Sequence, residues 1–133
     1  MSDTILVYVA GPYSAPDRAG VELNIQAAVA LGIEVAKLGA MPVIPHANTS
    51  HPDFEKVQPY QFWIAGTMAL LRACGACVMV EGWEASSGAR GEHQEMLRLG
   101  RPVFYSAWEL STWLCERAAD AEPVRMVGAE RNG

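Results

Sequence analysis

Residues 76–100, ACVMVEGWEASSGARGEHQEMLRLG, pass from an unbroken apolar run through a turn rich in serine and glycine into a helical pattern. A short apolar run bounded by turn signals suits a strand buried on both faces, as in a parallel sheet covered by helices. The spacing beyond the turn predicts a helix over about 89–99, with Gly100 as its stop signal. Strand, loop and helix in that order form half of a βαβ unit. The rest of the chain repeats the theme.

Upstream, TILVYVAG (4–11) is a second apolar run, ending at Gly11-Pro12. Residues 19–38 carry apolar side chains at 21, 25, 28, 29, 35 and 38, a helical stripe closed by Gly39. MPVIPH (41–46) reads as a short strand limited by its prolines, and 59–73 as a helix. Downstream, PVFY (102–105) reads as a strand and 107–119 as a last helix. Between them, ANTSHPDFEKVQ (47–58) is a long polar loop of the kind that faces ligands or moves. The final stretch, 121–133, has little periodicity and reads as a C-terminal tail, loose or packed against a partner chain, after a single domain over 1–120. The order β-α-β-α-β-α-β-α implies a flavodoxin-like or Rossmann-like three-layer α/β sandwich with a parallel sheet of four to five strands.

Ligands of such sheets sit outside the carboxyl ends of the strands. That rule gathers Gly11, Pro12, Tyr13 and Ser14 after the first strand and His46 and Asn48 after the second. It adds residues 81–88 after the third strand and Tyr105 and Ser106 after the fourth.

Composition limits the partners. Half of the 133 residues are hydrophobic and 19% are charged, the balance of a compact domain, which 133 residues are enough to build. A formal charge of −5 argues against nucleic-acid polymers and anionic membranes. No stretch reads as a bilayer span, and MSDTILVYVAGPYS lacks the basic start of a signal peptide. With only three cysteines, the expectation is a cytoplasmic protein with reduced thiols.

Chemistry concentrates at the helix that follows the serines. Ser86, Ser87 and Gly88 open it, where a serine can cap free N–H groups and the helix dipole favours an anion. Capping accounts for one serine. It does not account for Glu92, which falls on a helical wheel between Leu99 and Met96, inside the stripe due to face the sheet; His93 lies in the same arc. A carboxylate on a core face is costly unless a cleft solvates it or a donor meets it. A capping box is the plainer reading. The predicted ligand edge favours a functional one.

YVAGPYS and GWEASSGARGEHQEMLRLGRPVF resemble the nucleoside 2-deoxyribosyltransferase superfamily, in particular small bacterial and phage branches with a Gly-Trp-Glu-x-Ser-x-Gly-Ala…Glu signature. The resemblance covers about residues 4–105 and implies a flavodoxin-like fold and N-glycosidic chemistry on nucleosides or nucleotides, with no cofactor and no metal. Glu92 matches the family's nucleophile and Tyr8 a tyrosine that orients it. Gly11 and Gly88 match backbone positions close to sugar or phosphate, and Ser86 a serine that holds a 5′-phosphate. Relatives form homo-oligomers with sites near the interface. The chain departs from the pattern at Thr67 and Gly75, where many relatives carry aspartates; the first of these is associated with base contact or leaving-group protonation. It departs again at Ser14, where nucleotide-specific relatives place arginine.

Other constellations are weaker. Cys74 and Cys77 have redox spacing but sit on the far edge from the site, so buried structural thiols are the preferred reading. His46, His51 and Asp53 fit no compact metal pattern, and His46 reads as a pocket residue. Phe62, Trp63 and Trp83 could each stack a base; Trp63 is preferred as a core or interface plug, and Trp83 stays open between the two roles. The last helix has apolar residues on more than one side, which suits a neighbouring subunit in a dimer or tetramer.

The expectation is therefore cleavage or transfer of an N-glycosidic bond in a nucleoside or nucleoside 5′-monophosphate. Glu92 and Tyr8 would be catalytic, and Gly11, Pro12, Tyr13, His46, Trp83, Ser86, Ser87 and Gly88 would bind substrate. The alternative from another class is a non-catalytic nucleotide-binding sensor, which Thr67 favours. A flavin-binding electron carrier of similar fold fits less well, because the first loop lacks a serine- and threonine-rich phosphate cradle.

Overall fold

Alternate residues of the first strand face opposite ways, and this sets the layers. In a computed structural model that describes the backbone of residues 4–132 and the side chains of 4–120, β1 (Leu6–Ala10) directs Val7 and Val9 to one face. There they pack with Ala28 and Val35 of α1 (Arg18–Lys37) and Leu110 of α6 (Ala107–Asn132). Tyr8 and Ala10 point the other way, among Leu71 of α4 (Tyr60–Ala73) and Ala89 and Met96 of α5 (Ser87–Arg98). The period of two in a strand produces the two-sided core.

With β2 (Met41–Val43), β3 (Ala76–Met79) and β4 (Val103–Phe104), the strands form one parallel sheet in the order β2-β1-β3-β4. The fold is an α/β sandwich of flavodoxin-like or Rossmann-like type. Its strand order reverses between β1 and β3, where open α/β sheets bind ligands. All four residues of β3 are buried, matching their continuous apolar run. Helices α1 and α5 stop before Gly39 and Gly100, which take φ values of 91° and 72° that glycine alone adopts readily.

Four expectations need correction. The second strand ends at Val43, because Pro45 starts the short helix α2 (Pro45–Thr49); a proline lacks the N–H that a first helical turn leaves unused. The polar loop of 47–58 is partly helical: α2 occupies its start and α3 (Phe54–Val57) its end. The last helix does not stop at 119 but runs on to Asn132, past Pro123 and Gly128, residue types that disfavour a helix interior. The expected packing of 121–133 against a partner concerns side chains outside the described residues. Length and composition also make α1 apolar enough for a bilayer crossing, contrary to the sequence reading. It is nevertheless the crossover between β1 and β2, and it turns Ala28, Gly32 and Val35 onto the sheet.

Ion pairs join α4 to α5. Glu95 accepts from Arg72 at 2.9 Å and from Arg98 at 2.7 Å. These bonds, Arg98 first and Arg72 second, hold its carboxyl down to about 2. Cys74 and Cys77 are free thiols in the core; burial pushes Cys74 up to about 11 and Cys77 further.

Gly11 ends β1 under tight contact. A Cβ there would lie 2.6 Å from both Cβ and Cγ2 of Val80, and a β-branched neighbour cannot swing aside. Gly11→Ala is expected to cost about 1–3 kcal/mol, read as a lowered midpoint in thermal or urea unfolding.

Candidate active site

At the carboxyl ends of β1 and β3 lies a cleft of about 610 Å³. One wall is the chain from Gly11 to Ser14, held from two sides. Asn24 of α1 donates through Nδ2 to the Tyr13 carbonyl at 3.0 Å, and His46 of α2 donates through Nε2 to the Pro12 carbonyl at 2.8 Å. His46 is buried, its ring edge against Tyr13. Burial lowers its pKa, although bonds to the Pro12 and Gly11 backbone work the other way. A neutral imidazole results, positioned to hold the loop.

The opposite wall begins with a 3₁₀ turn at Trp83–Ala85 and continues into α5. Ser86 is the N-cap, its Oγ accepting from the Ala89 N–H at 3.2 Å. Ser87 and Gly88 line the cleft. A Cβ on Gly88 would meet only Ser86 Oγ, at 3.9 Å, so the wall is open at that point.

Glu92 lies one turn further along α5, between the buried Ala89 and Met96, and faces the cleft. Tyr8, wholly buried on the same side of the sheet, donates its hydroxyl to Glu92 Oε2 at 2.6 Å. Burial pushes the Glu92 carboxyl up to about 7, and the Tyr8 bond holds it below where burial alone would put it. The Tyr8 phenol moves far upward, through burial first and the Glu92 charge second, and stays a donor at every physiological pH. The pair is a carboxyl poised near neutrality, aimed into open space by a fixed donor.

Residues that the sequence reading underweighted close the third side. Phe54 of α3 and Trp63 of α4 stack at 4.7 Å with planes 16° apart, and Glu55 and Tyr60 flank them on the cleft. Trp63, taken from sequence as a plug, lines the cleft instead. Thr67 lines it too, but its hydroxyl donates to its own helix, at the Trp63 carbonyl, 2.6 Å away. Asn24 had a legible signal, a poor helix former inside an apolar helix. Glu55 had none beyond its place in a long loop.

Trp83 is not among the cleft residues. It stacks on His93 at 4.4 Å, next to Tyr105, whose hydroxyl lies 2.8 Å from His93 Nε2. This aromatic group stands beside α5 and β4, and it takes Trp83, His93 and Tyr105 off the set of pocket candidates. Gly11, Pro12, Tyr13, His46, Ser86, Ser87, Gly88, Glu92 and Tyr8 come together as expected, Tyr8 through Glu92. His51 stays in its loop, accepting the Asp53 N–H through Nδ1. A smaller hollow of about 410 Å³ on the opposite edge, beside Ile5, Gly75 and Trp113, has no carboxylate on its walls among the described residues.

Among curated proteins, none matches the chain. One family model, described as "Domain of unknown function (DUF1937)", matches residues 5–108, a span that includes the whole cleft and both members of the Tyr8–Glu92 pair. With most of its length matched, the chain belongs to the DUF1937 family.

Proposed function

We propose that the protein cleaves or transfers the N-glycosidic bond of a nucleoside or nucleoside 5′-monophosphate, with Glu92 as nucleophile. The observation that carries this reading is the 2.6 Å bond from Tyr8 to a cleft-facing Glu92 whose carboxyl titrates near neutrality. A glycosidic carbon develops oxocarbenium character as its bond to nitrogen lengthens, and a nearby carboxylate oxygen stabilises that charge and then bonds to the carbon. Tyr8 fixes one oxygen of Glu92 and leaves the other free for attack. Water or a second base would then release the sugar from the ester. The likeness of YVAGPYS and GWEASSGA…E to nucleoside 2-deoxyribosyltransferases supports the same assignment.

Self-association belongs to this reading as well: α1 exposes Leu23 and Ile33, and α4 exposes Phe62 and Ile64, apolar surface suited to contact between copies. Thr67 favours a second reading, that of a nucleotide-binding sensor, because its hydroxyl is turned back on α4 and offers no proton to a departing base.

A panel of ribo- and deoxyribonucleosides and their monophosphates, with free base followed by chromatography, separates the two. Release that vanishes in Glu92→Gln supports the enzyme. Binding without release supports the sensor, and release that survives the substitution removes Glu92 from the mechanism.

A further inference from the structure

Resting on that reading, we infer that the cleft takes N-glycosides whose base already carries a positive charge, such as N-alkylated purine or pyridinium nucleosides, with Glu55 and the Phe54–Trp63 stack receiving the cation. The charge of the cleft is the first argument. Among the described residues it is lined by two carboxylates, Glu55 and Glu92, and by no lysine or arginine. Nearby arginines are engaged elsewhere: Arg18 with Glu22, and Arg90 with the Glu84 carbonyl. Glu55 is exposed and has neither a hydrogen-bond nor an ion-pair partner among the described residues, whereas its neighbour Lys56 is paired with Asp53. An unpaired anion on a cleft wall attracts a cation.

The second argument is the wall itself. Phe54 and Trp63 lie nearly parallel beside Glu55, and Tyr60 is 69% exposed at the same rim. Aromatic faces bind flat cations through the ring quadrupole. An aromatic stack with an adjacent carboxylate matches a charged heteroaromatic ring more closely than a neutral one.

The third argument concerns protons. A neutral purine leaves as an anion unless an acid protonates it, and, apart from the Glu55 carboxylate assigned here to the cation, the groups that could do so are committed. Thr67 donates to the Trp63 carbonyl, Thr49 to the Pro45 carbonyl, His46 to the Pro12 carbonyl and Tyr8 to Glu92. The remaining serine and tyrosine hydroxyls of the cleft are too weakly acidic for this task at neutral pH. A cationic base needs no acid. As the Glu92 oxygen bonds to the anomeric carbon, the electron pair of the carbon–nitrogen bond returns to nitrogen and cancels its charge. The base departs neutral, and carboxylate and cation have become an uncharged ester. Water then attacks the anomeric carbon, restoring the carboxylate and releasing the free sugar and one proton.

The test uses 7-methylguanosine, an N-ribosylpyridinium salt and guanosine, each in ribo and 2′-deoxyribo form. All are unphosphorylated, since a phosphate would add an anion to a cleft without a cation. Steady-state base release is measured with the wild type, Glu92→Gln and Glu55→Gln. The expected result is Glu92-dependent release from both cations, with kcat/KM at least about a hundredfold above guanosine, the scale of a missing general acid. Because cations of this kind are intrinsically labile, the decisive readout is KM. Glu55→Gln raises it about fivefold more for the cations than for guanosine, the size of one exposed charge pair. Comparable kcat/KM for guanosine and the cations, or a KM insensitive to Glu55→Gln, overturns the inference and leaves the glycosidase reading standing. Release from none of the probes also overturns the inference, and the wider panel of nucleosides and monophosphates then decides the glycosidase reading; release independent of Glu92 overturns both.

Discussion

Glu92→Gln is expected to lower base release by at least about a thousandfold, the scale on which removal of an enzyme nucleophile acts, and at the same time to stabilise the fold above neutral pH. The two effects share one cause. A carboxyl raised from 4.5 to about 7 binds its proton more tightly in the folded protein than in the unfolded chain. Stability is then greatest below pH 4.5, falls as pH rises towards 7, and levels off above it. At about 1.4 kcal/mol per pH unit over about 2.5 units the loss is at most roughly 3.5 kcal/mol, reduced by the water that reaches a cleft-facing group. Glutamine keeps an acceptor for Tyr8 and never ionises, so the variant's stability should lack this slope. Urea unfolding at pH 5 and pH 8 reads it directly: the variant should gain on the wild type only at the higher pH. Equal differences at both values would mean that Glu92 is not held at a cost.

Tyr8→Phe should move the pH profile. Wild-type activity should climb with pH through about 7, as Glu92 ionises. The Tyr8 hydroxyl stabilises the ionised form, and a hydrogen bond to a charged group contributes about 1.5–3 kcal/mol. Without it the carboxyl titrates about one to two units higher, and activity at pH 7 falls about fivefold to fiftyfold, because half of the wild-type carboxyl is already protonated there. Much of the loss should return at pH 9, where Glu92 is ionised in the wild type and at least about half ionised in the variant. Cys77, Tyr8's neighbour across the β1–β3 pair, also feels the Glu92 charge, but burial holds its thiol protonated over this range. A loss equal at all pH values would show that Tyr8 acts only through packing.

The sheet and the nucleophile candidate were legible in the sequence because each leaves a local mark. An apolar run such as ACVM has one sensible place in a parallel sheet, and Glu92 breaks a helical stripe whose period is set by geometry. Tyr8 was another matter. Nothing in a buried strand distinguishes a tyrosine that packs from one that donates, and its role came through a resemblance before the 2.6 Å contact gave it a geometry. The third wall of the cleft was harder still. Phe54, Glu55 and Trp63 come together only because two short helices fold a polar loop back towards α4. No periodicity records such a return. Trp83 failed for the converse reason: it follows a strand at the right edge, but its ring turns to His93 and Tyr105 rather than to the cleft.

The outermost strands of the sheet have three residues and two, and the former includes Pro42, which has no N–H to offer. Such blunt margins give a stray extended peptide little to zip onto. Runaway lateral growth into fibrils is disfavoured even though the interior strands are as oily as those of an aggregation-prone segment.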